Sequence, residues 1–187
     1  MIVETIVSTV DQAGRPNFAP MGVQWAEDEL VIRPFCATHT YQNLVATGYG
    51  VVNITDDSGA FVESALGDFP LAFFPAVTVP GVVFAGACYW REVTLASAGG
   101  SEQRAELRCR IVSRGWQRDF LGYNRGRAAV IEAAILATRL HLLERVRVMA
   151  ALDEFDTIVR KTGDAAERAA LARVREYTRN WFDGGSS

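Results

Sequence analysis

The stretch of this sequence richest in chemically capable side chains is Arg33-Pro-Phe-Cys-Ala-Thr-His-Thr-Tyr-Gln-Asn-Leu44. Cys36 and His39 have a C-x2-H spacing that zinc can use, with Cys88, Cys109 or His141 as remote partners. Tetrahedral zinc needs four ligands, usually from two short-spaced pairs, and only one such pair exists here, so no metal is expected. Buried strand thiols explain Cys88 and Cys109 more simply. A Cys36 nucleophile with His39 as base is conceivable, but nothing in the sequence orients the imidazole, and no catalytic residue is nominated. The same stretch also reads as a strand end, a polar turn and a helix N-terminus. Free backbone N–H groups and the helix dipole make such a junction an anion site. Thr38 and Thr40 can donate hydroxyl hydrogens to phosphate oxygens, Asn43 its amide, and Arg33 its charge. Thr-rich helix caps are also common with no ligand at all.

Composition narrows the alternatives. The chain has 187 residues, 49% hydrophobic and 22% charged, with a net charge of -3, which excludes disorder as the main state. There is no GxSxG, HExxH, CxxC or GxGxxG. Lys161 is the only lysine and follows no glycine-rich loop, against both a P-loop and a Schiff-base enzyme. Three cysteines do not make a disulfide framework, and no signal-like segment opens the chain, so a soluble cytoplasmic protein is expected. Residues 1–103 carry 3 Arg against 11 Asp+Glu, a net of -8; residues 104–187 carry 15 Arg and 1 Lys against 11 Asp+Glu, a net of +5. Trp116, Phe120 and Tyr123 interleave with the arginines of 104–127, as a stacking platform would. Acids alternate with those arginines and the pI is about 5.5, so no nucleic-acid partner is expected.

The elements that position these groups follow from residue patterning. Ile2–Val10, Asn17–Trp25, Leu30–Phe35, Val51–Thr55, Phe61–Leu66, Tyr89–Ala96 and Ala105–Trp116 read as strands rich in Val, Ile, Thr and aromatics. A short helix is expected over Thr40–Thr47, capped by Thr38 or Thr40 and stopped by Gly48. Residues 69–90 carry no charge, but Pro70, Pro75 and Pro80 break the run, so it is expected to line a core or interface and not to span a membrane. Phe73, Phe74 and Phe84 are read as packing residues ahead of pocket walls. Helices are expected over Arg127–Leu143, Arg147–Lys161 and Asp164–Trp181. The first is apolar on most faces, which calls for sheet packing, a subunit contact, or both. The last opens with a capping box, Asp164 to Glu167, and turns Ala169, Ala170, Val174 and Tyr177 inward. The division is an antiparallel barrel over 1–122 followed by a helical segment over 123–187.

Phe18–Val23 (FAPMGV), Arg33–Leu44 and Val51–Asp57 (VVNITDD), in that order after an N-terminal strand, resemble the flavin-reductase-like FMN-binding split barrels. Asn124–Leu143 and Val159–Asp164 are similar to one branch of them, associated with methanopterin-linked one-carbon metabolism. The resemblance implies a six-stranded antiparallel split barrel, homodimeric, with FMN near the subunit interface. It implies that Ala19, Pro20, Met21, Gly22 and Val23 face the flavin ring, with glycine allowing close approach. It places Thr38, His39, Thr40 and Asn43 at the phosphate and Asn53 at the ring or ribityl chain. His39 stands where flavin reductases often carry a lysine. A phosphate dianion in the acidic half needs cations: Arg33 is one, with Arg125, Arg127 or Arg139 as supplements. The implied activity is that of a flavin-dependent oxidoreductase taking NAD(P)H or a pterin-type molecule. A non-catalytic flavin carrier, sensor or assembly factor is the alternative.

Overall fold

The computed structural model describes residues 1–67 and 71–184, which fall into two compact units. The first holds Met1–Thr55 and the described residues of 68–120. Its strands are β1 (Ile2–Val10), β2 (Pro16–Trp25), β3 (Glu29–Ile32), β4 (Tyr49–Ile54), β5 (Phe73–Pro75), β6 (Val82–Phe84), β7 (Tyr89–Gly100) and β8 (Ala105–Trp116). Six of them close an antiparallel barrel in the order β1-β2-β3-β8-β7-β4, as expected from the sequence. Alternation sends Val7, Val23, Ile32, Val52, Val93 and Leu107 into its interior, all of them fully buried. Helix α1 (His39–Thr47) joins β3 to β4; Thr38 caps its start, and Gly48, at φ 81°, supplies the left-handed residue that ends it.

The uncharged run folds back as the β5–β6 hairpin; residues 69 and 70 lie outside the described residues. Phe84 is buried, Phe74 meets Trp90 edge-on at 5.5 Å, and Phe73 lies 6.1 Å from Phe18, so these rings pack among themselves. Glu92, 1% exposed, receives the N–H groups of Val77, Thr78 and Val79 at 3.1, 2.6 and 2.9 Å. A buried carboxylate with three backbone donors is well compensated and fixes the neutral loop in place.

The second unit gathers Asp56–Gly67 with the described residues from Leu121 onward. Its helices are α2 (Ser58–Leu66), α3 (Arg125–Ala137), α4 (Arg145–Thr162) and α5 (Ala165–Phe182). The strand expected over Phe61–Leu66 is therefore helical, started by Asp57, which accepts the Ala60 N–H at 3.1 Å. This earlier helix belongs to the same unit as the C-terminal ones. The helix expected over Arg127–Leu143 stops at Ala137 and is followed by a 3-10 turn, Leu140–Leu142. Its apolar circumference is met by α2, α4 and α5 around Val130, Ala133, Ala134, Leu152, Leu171 and Val174. No second subunit is required to cover it. The capping box of α5 forms as read, whereas Ala169 is exposed and Leu171 and Thr178 complete the inner face.

Candidate functional site

The barrel has an opening along one strand. β3 pairs with β2 only over Val23–Trp25, so the β2 edge from Pro16 to Gly22 has no strand beside it among the described residues. Trp25 N–H donates to the Met1 carbonyl at 2.9 Å. That bond sets the alternation, which turns the main-chain groups of Phe18, Pro20 and Gly22 toward the open edge. Pro20 suits such a position because it has no N–H to leave unpaired. Beyond Ile32 the chain abandons β2 and follows β8: Ala105 N–H donates to Pro34, Phe35 bridges to Arg104, and Cys36 N–H donates to Gln103. It returns to β2 at the first turn of α1, where Asn17 Nδ2 donates to Thr40 Oγ1 at 3.3 Å. The result is a notch about 17 Å long from Asn17 to Gly22. Arg33 stands at one end, opposite the position the register would give Gly22, and the α1 N-terminus stands at the other.

At that N-terminus Thr38 Oγ1 accepts the Tyr41 N–H at 3.4 Å and donates to the Phe35 carbonyl at 2.7 Å. The amides of His39 and Thr40 carry no hydrogen bond among the described residues, as expected for the first turn of a helix. Arg33 extends along the rim, donating to Glu106 at 2.8 Å and Gln24 at 2.9 Å. The Arg33 hydrogen bond and charge, with Arg108 behind them, hold the Glu106 carboxyl below the usual range. Arg104 comes in from the β7–β8 turn, stacked 5.2 Å over Phe35, with its Nε donating to the Arg33 carbonyl. Sequence reasoning missed Arg104, since no local signal links it to a turn 71 positions earlier.

Not every expected contact lies on this notch. Thr40 is 1% exposed, and its hydroxyl is tied to Asn17. Asn43 is buried and donates to Thr9 Oγ1 at 3.0 Å, fastening α1 to β1. Asn53 is fully buried: Nδ2 donates to the Ile6 carbonyl at 2.9 Å and Ser8 Oγ at 3.0 Å, while Oδ1 accepts the Phe84 N–H at 3.0 Å. These three side chains are committed to the barrel, and Asn53 presents nothing to a ligand. Ala19, Pro20 and Met21 are half-buried, Gly22 is exposed and Val23 is interior. His39 is exposed and Cys36 half-buried, its thiol 3.7 Å from the Ser101 carbonyl. Cys88 and Cys109 are buried, and burial pushes the Cys109 thiol up to about 12. No group of three His, Cys, Asp or Glu side chains able to hold a metal occurs among the described residues.

Of the supplementary arginines, Arg127 is engaged elsewhere: it pairs with Asp56 at 3.4 Å and Glu167 at 3.2 Å, both buried, in the helical unit. Asn124 caps the same helix and donates to the Thr162 carbonyl at 2.9 Å, so the NRGR and KTGD motifs form one structural joint. Arg125 and Arg139 are exposed on that unit. No described helix is long and apolar enough to cross a membrane.

Comparison with known proteins agrees with this architecture. A model of the N-terminal domain of the protein of unknown function DUF447 matches residues 3–118, and a second DUF447 model matches residues 124–176. The chain belongs to the DUF447 family. Among solved structures, the DUF447 chain is similar to the FMN-bound protein MM1853 of Methanosarcina mazei, with 23% identity and a TM-score of 0.82 over 94% of both chains. It is also similar to the 2-nitrobenzoate 2-nitroreductase NbaA of Pseudomonas fluorescens, at 21% identity and TM-score 0.55 over 61% of this chain and 64% of that one. The styrene monooxygenase flavin reductase of Pseudomonas putida S12 aligns at 15% identity and TM-score 0.52 over 62% and 81%. These likenesses establish the FMN-binding split-barrel fold for this DUF447 chain.

Proposed function

We propose that this DUF447 protein binds FMN along the open edge of β2, with the phosphate on the His39 and Thr40 amides at the start of α1. The observation that carries the reading is the notch itself: unpaired strand backbone and a bare residue, Gly22, at one end, and a capped helix with two unbonded N–H groups at the other. The donor set fits the group. Two backbone N–H groups at a helix N-terminus suit a phosphate dianion. Open main-chain donors and acceptors, with Met21 beneath them, suit a flat heteroaromatic ring that hydrogen-bonds at its edge. Arg104, stacked over Phe35, adds positive charge beside the turn, and Arg33 adds it at the Gly22 end through a guanidinium shared with Glu106. The FMN-bound DUF447 relative and the flavin reductase of the same fold support the cofactor assignment.

Bound FMN would supply hydride or electron transfer, so the protein is read as a flavin-dependent oxidoreductase. Its own residues bind and orient: the β2 edge fixes the ring plane, Thr38 holds the turn, and the neutral β5–β6 hairpin adjoins β2 through Phe73 and Phe18. A homodimer is part of the reading, supported by the exposure of Phe35, Phe73 and Val77 on the barrel unit. The link to methanopterin-dependent metabolism, and a pterin-type or nicotinamide reaction partner, rest on the sequence resemblance alone. The test is FMN titration of the apo protein followed by NAD(P)H oxidation with and without flavin or pterin acceptors. Tight FMN binding without turnover would favour the carrier reading; absence of FMN binding would overturn both.

A further inference from the structure

The far end of the barrel carries a second group of residues with no part in the notch. Trp116 lies ten strand residues from the β7–β8 turn at Glu106, about 33 Å along β8. Here β7 and β8 pair Tyr89 with Trp116 and Arg91 with Arg114. Residues two apart share a face, so both arginines and both rings project to the same side. Between them Trp90 pairs with Gly115 on the opposite face, where a Cβ on Gly115 would run into the indole. The Arg91 guanidinium stacks 5.5 Å from Trp25 and 5.4 Å from Tyr89. Two adjoining depressions, of about 350 and 220 Å³, share Tyr89 and Arg91. Arg114 and Trp116 line the first; Val3, Trp25 and Ile54 line the second.

Two like charges directly opposed across a strand pair are destabilising. Arg114 is partly answered by Asp28 at 3.0 Å, whereas Arg91 has no acidic partner among the described residues and donates only to the Trp90 carbonyl at 2.9 Å. Burial, and behind it the Arg114 charge, lowers the Arg91 pKa from the usual guanidinium value. An uncompensated, half-buried guanidinium set between two aromatic rings, beside a second guanidinium, is arranged for an anion carried on a flat body.

We propose that this groove binds a small planar aromatic carboxylate, its carboxylate between Arg91 and Arg114 and its ring against Tyr89 and Trp116. Guanidinium forks match a carboxylate in plane, and the joined volume is that of a small-molecule site. The proposal does not depend on FMN binding at the notch, and its test does not involve flavin.

Calorimetric titration of the full chain with 2-naphthoate tests it, with 2-naphthol as ring without charge and inorganic phosphate as charge without ring. One naphthoate per chain is expected, bound at least about tenfold more tightly than either control, because a charge-assisted pair and a stacking surface are used together. Arg114→Gln and Trp116→Ala each should weaken naphthoate about tenfold or more. Trp116 is 66% exposed, so its variant keeps the fold, and an unchanged melting curve for both variants verifies this. Absence of naphthoate binding, equal affinity in the variants, or phosphate binding as tightly as naphthoate would overturn the proposal.

Discussion

Replacing His39 by proline removes a single backbone donor from the proposed phosphate turn and little else. His39 is the first residue of α1, after the cap Thr38, and proline is well tolerated at that position because the N–H it lacks has no helical partner. A residue before proline must be extended, and Thr38 already sits at φ -84°, ψ 149°. The imidazole that is lost is exposed. The melting temperature should therefore stay within a degree or two of the parent. A hydrogen bond to a charged group contributes about 1.5–3 kcal/mol, so FMN affinity should fall roughly 10- to 150-fold. Riboflavin, which has no phosphate, should bind the variant and the parent alike. His39→Ala keeps the amide and should retain FMN affinity, which separates main chain from imidazole. Quenching of flavin fluorescence on titration into apo protein reads each of these affinities. Unchanged FMN affinity in His39→Pro would refute the amide as a phosphate donor, and a parallel loss of riboflavin would refute the placement of the phosphate at this turn.

Three other outcomes follow from the geometry. A Cβ on Gly22 would come 3.0 Å from Ile2 Cγ2, on an exposed residue near the chain start, and 3.3 Å from Glu4 Oε1, the end of a flexible side chain, so Gly22→Val should alter apo stability by less than about 1 kcal/mol while abolishing flavin binding; retained flavin would count against the ring placement. Arg127→Met removes the cation shared by two buried carboxylates, Asp56 and Glu167, and should cost about 3 kcal/mol or more in urea unfolding; adding Asp56→Asn and Glu167→Gln should restore much of it, whereas no recovery would deny the ion pairs their role. In the native protein at pH 8 only Cys36 should react with a thiol reagent, since Cys88 and Cys109 are fully buried and burial holds the Cys109 thiol protonated to about 12; all three should react in denaturant, and fast native labelling of Cys109 would contradict the barrel interior.

Much of the barrel was legible because strands and turns announce themselves locally. A run of β-branched residues marked β1, apolar–polar alternation marked β8, Gly48 marked the end of α1, and Asp164 with Glu167 marked the start of α5. Ser58–Leu66 was not, because Phe61 and Val62 suit a strand equally well and the helix is decided by its Asp57 cap and by packing on α3 and α5. The cap position of Thr38 was legible from the sequence, whereas Gly22 was singled out by the family resemblance. Thr40, Asn43 and Asn53 lie in the same motifs, but polar side chains there serve internal hydrogen bonds, and sequence cannot tell an inward hydroxyl or amide from an outward one. The split between β2 and the departing chain after Ile32 depends on which strand that chain follows, a pairing set by β8 and Arg104, far along the sequence.

Amide chemical shifts of the 15N-labelled full chain, followed during parallel FMN and riboflavin titrations, test the placement of the cofactor most directly. The notch predicts that both ligands move Met21 and Gly22 on β2, and that FMN alone moves His39 and Thr40 at the start of α1. FMN-induced shifts that bypass β2 and α1, or His39 and Thr40 shifts equal for riboflavin and FMN, would contradict it.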